Sequence, residues 1–254
     1  MKTKKTVLAF ILLTVLAVTA YAQQYADEQD FSVAQVSGGT AVKITRYTGN
    51  KQTINIPPAI QGKPIVEIGE NVFFRQKITG VTIPNSVTSI GVGVFANNQL
   101  TSVTIPNSVI SIGDAAFANN QLTGVTIPNS VTSIGRGVFA NNQLTSAVIS
   151  NGATSIGDSA FFNNKLTSVT IPDSITSIGD SAFERNRFTS VTIPDSVTSI
   201  GKGAFRNNQL TSITIGAKVK IESDSFSREF FDFYNAQGQR AGTYTYSNHE
   251  WSIQ

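Results

Sequence analysis

The peptide Leu100-Thr-Ser-Val-Thr-Ile-Pro-Asn-Ser-Val-Ile-Ser-Ile-Gly-Asp-Ala-Ala-Phe-Ala-Asn-Asn-Gln121 recurs with small changes from about residue 78 to residue 209. One phenylalanine per copy marks a period of 22 residues, except for a last interval of 21. These phenylalanines are Phe73, Phe95, Phe117, Phe139, Phe161, Phe183, Phe205 and Phe226. A period kept this strictly indicates a coil in which each unit forms one turn and stacks on the next.

Within one unit, the order of apolar and polar side chains predicts a half-buried strand. Val103 and Ile105 alternate with Ser102 and Thr104, so Val and Ile should face the core while Ser and Thr face solvent. Pro106 has no N–H group and ends the strand. Stacked about 4.8 Å apart, such strands predict one long sheet whose outer face is a candidate partner-binding surface. Its candidate residues are Ser102, Thr104, Thr126, Ser168, Thr170, Ser190, Thr192 and Thr214.

An asparagine follows each of six core phenylalanines at a distance of three residues. A carboxamide offers two donors and an acceptor, so one Asn per turn predicts a ladder that satisfies backbone groups at a buried bend. A merely solvated Asn is the alternative interpretation. The members are Asn98, Asn120, Asn142, Asn164, Asn186 and Asn208.

The two ends of a stacked coil would expose apolar layers, so the terminal units should be atypical. We therefore divide the chain into 1–22, a signal peptide; 23–77, an N-terminal extension with an atypical capping repeat; 78–226, repeats; and 227–254, a C-terminal cap. Thr243 to Ile253 alternates like a hairpin that turns at Ser247-Asn248. The nearby aromatic residues are predicted to cover the last core layer, the alternative being an aromatic binding patch. They are Phe230, Phe231, Phe233, Tyr234, Tyr244, Tyr246 and Trp251.

The N-terminus has the order of a secretory signal peptide. A basic start (Lys2, Lys4 and Lys5) precedes the apolar stretch 7–18 and the small-x-small site Ala20-Tyr21-Ala22. The apolar stretch is shorter than the roughly 20 residues that a spanning helix needs, although an uncleaved anchor is the alternative. We expect an exported bacterial protein that is secreted, held on the outer surface or periplasmic, with no membrane span after cleavage.

Charge and cysteine content exclude several functions. The chain has 19 Lys and Arg against 16 Asp and Glu. Removal of residues 1–22 takes away three lysines and leaves 16 of each. Without a basic excess, neither nucleic acid nor an anionic membrane surface is an expected partner. The chain has no Cys, so an exported form cannot use disulfides.

No residue pattern predicts catalysis, a metal site or a cofactor. His249 is the single histidine, so a His and Cys metal site is impossible and a Ser-His-Asp triad would depend on that one residue. Asp173 and Asp195 occupy one column of adjacent units. They are interpreted as solvated turn residues, since two carboxylates are too few for Ca²⁺. We therefore expect a protein that is not an enzyme.

Charges are sparse between residues 78 and 164 and return in the C-terminal third. This second candidate surface is a charged rim of Glu184, Arg185, Arg187, Lys202 and Arg206. The alternative is a rim that is only solvated.

The repeat pattern carries a family resemblance. Leu-x-x-Val-x-Ile-Pro, then Val-x-x-Ile-Gly-x-x-x-Phe, then Asn resembles the BspA-like class of bacterial leucine-rich repeats, and treponemal members look most similar. The resemblance spans residues 31–254. Residues 147–152 depart from it, because Ala-Val-Ile-Ser-Asn-Gly replaces Val-Thr-Ile-Pro-Asn-Ser and moves Val148 to the solvent face.

The predicted fold is a repeat solenoid, a leucine-rich-repeat-type curved coil with parallel β-strands, 22-residue turns, little helix and a β-hairpin C-terminal cap. The resemblance implies a surface protein that binds host matrix proteins, host cells or other bacteria. Two further hypotheses remain open at this point. One is a structural or assembly role, and the other is binding to ice or to a carbohydrate surface.

Overall fold

The computed structural model describes residues 25–217 and 219–254, so the predicted signal peptide (1–22) lies outside the described residues. Each 22-residue unit forms one turn of a solenoid, as the period predicts. Helix is confined to two short 3-10 turns, Glu28–Asp30 and Ser37–Gly39, and to α1 (Arg228–Ala236) among the described residues. The predicted repeat solenoid with little helix is confirmed.

The strands of the described residues are short and follow the repeat. They are β1 (Phe31–Val36), β2 (Ala41–Tyr47), β3 (Thr53–Asn55), β4 (Ala59–Ile60), β5 (Lys63–Ile68), β6 (Gly80–Thr82), β7 (Ser89–Ile90), β8 (Ser111–Ile112), β9 (Gly124–Ile127), β10 (Ser146–Ile149), β11 (Ser155–Ile156), β12 (Ser177–Ile178), β13 (Ser190–Ile193), β14 (Ser199–Ile200), β15 (Ser212–Ile215), β16 (Lys220–Ile221), β17 (Gly242–Ser247) and β18 (Glu250–Ile253).

The strands of the Ser-Val-Thr-Ile segments pair in parallel, but not as one long sheet. β3 pairs with β6, β9 with β10, and β13 with β15. In the described part of the chain, segments 102–105 and 168–171 form no strand. The prediction of a continuous sheet is therefore wrong, although Ile105 and Ile171 remain buried. Burial of the apolar column thus fixes the turn even where the strand ladder is interrupted.

A second ladder, which periodicity did not predict, runs through the Ser-Ile-Gly segments. β5, β7 and β8 continue from β2, while β11, β12, β14 and β16 form a second group, and an isolated bridge joins Ile134 to Ile156. In every strand of this ladder from β5 to β14, a glycine follows the isoleucine and approaches the preceding turn. A Cβ atom on Gly113 would lie 2.5 Å from the Val92 backbone nitrogen. Only glycine permits this approach, which brings consecutive turns together.

The phenylalanine column forms the spine of the core. From Phe73 to Phe226, successive rings stack with centroids 5.1–5.6 Å apart and interplanar angles of 1–19°. All eight rings are at most 1% exposed. Offset aromatic pairs at such spacing contribute about 0.5–1.5 kcal/mol beyond their buried area. The spine therefore couples each turn to both of its neighbours.

The predicted asparagine ladder is confirmed. In a representative turn, the Asn142 Nδ2 donates to the carbonyl oxygens of Phe117 at 3.0 Å, Phe139 at 3.1 Å and Ala140 at 3.3 Å. Its Oδ1 accepts the Leu122 N–H at 3.1 Å. Asn98, Asn120, Asn164 and Asn186 are likewise buried, and Asn208 is half-buried. One carboxamide thus hydrogen-bonds backbone groups of two adjacent turns at this bend.

The backbone conformation of the first Asn in each Asn-Asn pair determines where the second Asn points. Asn97, Asn119 and Asn141 have φ of 56–57°, in the left-handed region that asparagine tolerates better than most residues. Their backbone N–H groups donate to Ala118, Ala140 and Phe162 of the next turn. This local reversal turns the following Asn toward the core.

Aromatic residues close both ends of the spine. At the N-terminal end, the rings of Phe31 and Tyr47 lie 6.5 and 5.2 Å from that of Phe73. At the C-terminal end, the buried rings of Phe230 and Tyr244 pack edge to face at 5.3 Å. Burial raises the pKa of the Tyr244 hydroxyl.

The C-terminal hairpin is confirmed and acts on the last repeat strand. β17 pairs antiparallel with β15, and β18 pairs with β17, so the hairpin covers the strand edge of the solenoid. Its turn lies at Asn248-His249 rather than at the predicted Ser247-Asn248. Both turn residues have positive φ, 51° and 69°, as a two-residue type I′ turn requires.

Replacement of Asn142 with Ala should lower the free energy of unfolding by about 1–3 kcal/mol or more, because the Leu122 N–H and buried carbonyl groups lose their partner. Asn129→Ala is the matched control, since Asn129 is an exposed turn residue, and it should change stability by less than about 0.5 kcal/mol. Chemical denaturation measures both. Equal stability of the two variants would contradict the ladder.

Candidate functional site

The outer face of the Ser-Val-Thr-Ile segments carries the first set of predicted binding residues. Ser102, Thr104, Thr126, Ser168, Thr170, Ser190 and Thr192 are exposed, as the alternation predicts. Thr214 differs, because β17 covers the edge of β15 and the Thr214 hydroxyl lies 3.0 Å from that of Thr243. Thr214 is therefore half-buried in the cap rather than part of the open face.

Two of these residues line a concavity of about 550 Å³, which we call the strand-face groove. It spans the turns of residues 103–107, 124–129 and 146–150. Its lining includes Thr104, Asn107, Thr126, Asn129, Val148 and Ser150. Ser102, Ser168, Thr170, Ser190 and Thr192 lie outside this groove.

The groove owes its shape and its apolar contact to departures from the repeat. Gly124 stands where most units have Ser. Because it has no side chain, the groove is deeper at this position. Val148 stands where other units have Thr, and its side chain is 54% exposed. An apolar side chain among hydroxyl and carboxamide groups, with no charged residue in the lining, suits contact with a neutral polypeptide surface.

Glu184 is not part of an exposed rim, which corrects the prediction for this residue. It is 4% exposed, and its Oε1 accepts hydrogen bonds from Arg206 Nη2 at 2.9 Å and Asn207 Nδ2 at 3.1 Å. Its Oε2 accepts one from the Ser181 hydroxyl at 2.6 Å. Glu184 occupies the same repeat position as Ala96, which is also buried. That shared position could have predicted a buried Glu184.

Opposing effects set the pKa of Glu184. Burial favours the neutral carboxyl and raises the pKa, but hydrogen bonds from Ser181, Arg206 and Asn207, with the charge of Arg206, outweigh it. The pKa is therefore held below the ordinary value of 4.5. Glu184 is a buried carboxylate that fixes Arg206 against the preceding turn.

The remaining members of the rim are exposed and keep their side chains available. Arg185 lies with its guanidinium carbon 5.6 Å from the centre of the Phe162 ring, and Arg187 and Lys202 are exposed. The backbone N–H of Lys202 donates to Asp180 at 2.7 Å, so this turn is anchored while the Lys202 side chain is exposed. The structure thus keeps Arg185, Arg187, Lys202 and part of Arg206 on the surface.

Most aspartates of the repeat accept a hydrogen bond from a backbone N–H of the next turn. Asp114, Asp158 and Asp180 each accept an N–H from the turn that follows. Asp195 accepts the Ala217 N–H at 2.7 Å, which supports its interpretation as a turn residue. Within the described ranges, no group of three or more His, Asp or Glu could hold a metal ion.

Across residues 25–217 and 219–254, no helix has the length and hydrophobicity to cross a membrane.

Comparison with known proteins identifies a sequence family and several structures. The family described as BspA type Leucine rich repeat region matches in six copies over residues 66–187 and 154–239. Among curated proteins, none matches the sequence significantly.

Three solved structures are similar to this chain to different degrees. A leucine rich cell surface protein from Faecalibacterium prausnitzii is 23% identical, with 80% of this chain and 85% of that chain covered and a TM-score of 0.51. A leucine-rich repeat protein from Bacteroides ovatus is 24% identical over 76% and 65%, with a TM-score of 0.49. The T. pallidum Leucine Rich Repeat protein is 20% identical over 80% and 82%, with a TM-score of 0.32. The first of these supports the fold.

Replacement of Glu184 with Gln should lower the free energy of unfolding by about 1–3 kcal/mol at neutral pH, because charge-assisted hydrogen bonds are weakened. The lowered pKa means that the ionised carboxylate stabilises the fold above pH 4.5 and that this contribution is lost as the pH falls through the folded-state pKa. The difference between variant and wild type should therefore shrink below pH 4.5.

Glu222→Gln is the matched control, since Glu222 belongs to an exposed pair with Lys220 that contributes about 0–1 kcal/mol. Chemical denaturation at several pH values measures all three proteins. A destabilisation by Glu184→Gln that does not change with pH would show that ionised Glu184 has no stabilising role.

Proposed function

Because this chain belongs to the BspA-type leucine-rich repeat proteins, we propose that it is an exported surface protein that binds other proteins and mediates adhesion. The strand-face groove is the proposed contact site. Its partners are host matrix proteins, host-cell surface proteins or proteins of other bacteria. The family is generally non-enzymatic, and its repeats suggest protein interaction.

The observation that carries the proposal is the neutral, open groove around Val148. Its apolar side chain is 54% exposed beside the hydroxyl groups of Thr104 and Thr126. Interfaces combine such apolar centres with a polar rim that forms hydrogen bonds. The groove spans three turns, so an extended segment of a partner can contact several equivalent positions at once.

Export is part of the same proposal. Residues 1–22 have the order of a signal peptide, and the F. prausnitzii protein of similar fold is described as a cell surface protein. The proposed mature form begins at residue 23. Secretion, outer-surface display and the periplasm are all compatible with that signal, and adhesion requires one of the first two.

The exposed faces contribute to binding in different ways. The groove supplies the first contact, and Ser168, Thr170, Ser190 and Thr192 extend the same neutral face toward the C-terminus. Several weak contacts along one rigid surface raise the overall avidity when the partner is itself repetitive or immobilised. The exposed arginines and Lys202 then distinguish partners by charge.

Chain-to-chain assembly through the strand edges is a weaker explanation. The β17–β18 hairpin pairs with the last repeat strand, so that edge is not free to pair with a second copy.

The proposal predicts that residues 23–254 bind immobilised host matrix proteins or epithelial cells saturably. Replacement of Thr104, Thr126 and Val148 with Lys should weaken this binding at least about tenfold, since each lysine adds a charge and fills the groove. Surface binding and flow cytometry measure the effect.

Two further variants locate the site. Lysine at Gln99, Gln121 and Gln209 is the matched control, because these side chains are exposed and outside the groove, and binding should be unchanged. Lysine at Ser168, Thr170, Ser190 and Thr192 tests the rest of the face. Equal loss in the glutamine control would indicate a nonspecific charge effect, and no binding by the wild-type chain would overturn the adhesion proposal for these partners.

A further inference from the structure

The asparagine ladder ends at Asn208, so the last turn has no Asn from a following turn. In earlier turns, the N–H of the leucine-column residue donates to the Asn Oδ1 of the next turn, as for Leu144 to Asn164 at 3.0 Å and Phe188 to Asn208 at 3.1 Å. The turn after Leu210 is one residue shorter and leads through Phe226 into α1. The Leu210 N–H therefore has no hydrogen-bond acceptor within residues 25–217 and 219–254.

A second repeating backbone hydrogen bond also ends at the last turn. Asn163 and Arg185 donate their N–H groups to Glu184 and Arg206 of the following turns at 2.9 and 3.0 Å. The equivalent N–H of Asn207 has no acceptor in the described part of the chain, because the chain enters the helix after Ser227. Two donors that are satisfied in every earlier turn thus remain available at the last one.

Both donors belong to residues that line a cavity of about 500 Å³ between the last turn and the cap, which we call the C-terminal cavity. Its apolar walls come from Leu210, Phe226 and Trp251. Leu210 is half-buried, whereas Leu122 and Leu144 of the same column are fully buried. The cavity thus lies where the next turn would otherwise cover the core.

The cations that line the cavity are each paired with a carboxylate, which disfavours an anionic ligand. Arg206 is paired with the buried Glu184, and the Arg228 guanidinium lies 3.7 Å from Asp232. Asp224 contributes a negative charge to the lining. A free carboxylate would meet Asp224 without an unpaired cation, whereas a neutral oxygen acceptor would meet two backbone donors.

We propose that the C-terminal cavity binds the carboxamide side chain of a partner polypeptide. The side-chain oxygen of an Asn or Gln of the partner accepts the Leu210 N–H, as the Asn ladder does for Phe188, and a backbone carbonyl of the partner accepts the Asn207 N–H, as the Arg206 carbonyl does for Arg185. An apolar residue nearby packs against the half-buried Leu210 and Trp251. The cavity is separate from the strand-face groove and does not depend on the function proposed for it.

The single tryptophan of the chain lines this cavity and reports on its occupancy. The probe is a synthetic peptide of residues 97–106, Asn-Asn-Gln-Leu-Thr-Ser-Val-Thr-Ile-Pro, titrated into residues 23–254. Trp251 fluorescence should change saturably. A peptide with Ala at positions 97, 98 and 99 should bind at least about tenfold more weakly, and so should a peptide with Asp at those positions.

Arg228→Phe blocks the cavity from its rim without touching the ladder, since Arg228 is largely exposed, and should weaken binding at least about tenfold. Arg240→Phe is the matched control, because Arg240 is exposed on the same cap outside the cavity, and should bind like the wild type. Thermal unfolding shows that both variants are folded. Equal binding of the alanine peptide, tighter binding of the aspartate peptide, or unchanged binding by Arg228→Phe would each overturn the proposal.

Discussion

Each turn of the solenoid closes over backbone groups that water does not reach, and one carboxamide hydrogen-bonds four of them, two in its own turn and two in the preceding turn. Asn142 makes this contact with the N–H of Leu122 and the carbonyl groups of Phe117, Phe139 and Ala140. Unpaired, such buried groups cost about 1–3 kcal/mol each. The stacked phenylalanines add apolar burial at the same bend. The repeat is therefore held together between turns, and no turn is complete without its successor.

This constraint explains where individual surface features occur. The Phe, Leu, Asn and Gly columns are constrained by the core, so most differences between turns occur at positions that reach solvent. Val148 and Gly124 change such positions and give the groove its character. At the C-terminal end, the last turn lacks a successor. The hairpin and α1 cover most of its core, but they do not replace the missing carboxamide. Both candidate binding sites thus lie where the repeat departs from its own pattern.

The repeat made most of the fold predictable from the sequence. The phenylalanine period predicted the stacked turns, and a polar residue at a fixed distance from a buried ring predicted the Asn ladder. The two-residue ladder at Ser-Ile-Gly is too short to show alternation, and the interrupted pairing of segments 102–105 and 168–171 depends on packing between turns. Glu184 looked exposed because carboxylates usually are, although the same column holds buried Ala96, Ala118 and Ala140 in earlier turns. The C-terminal cavity depends on the path of the chain after a one-residue deletion, which no repeat column encodes.

Native-state hydrogen exchange of individual backbone amides measures whether the Asn ladder protects the leucine-column N–H groups. We predict slow exchange at Leu100, Leu122, Leu144 and Leu166, whose N–H groups are bound by the next turn's Asn. We predict a sharp loss of protection at Leu210, which has no such partner in the described chain. Rapid exchange along the whole column, or protection at Leu210 equal to that at Leu166, would contradict the role of the Asn ladder.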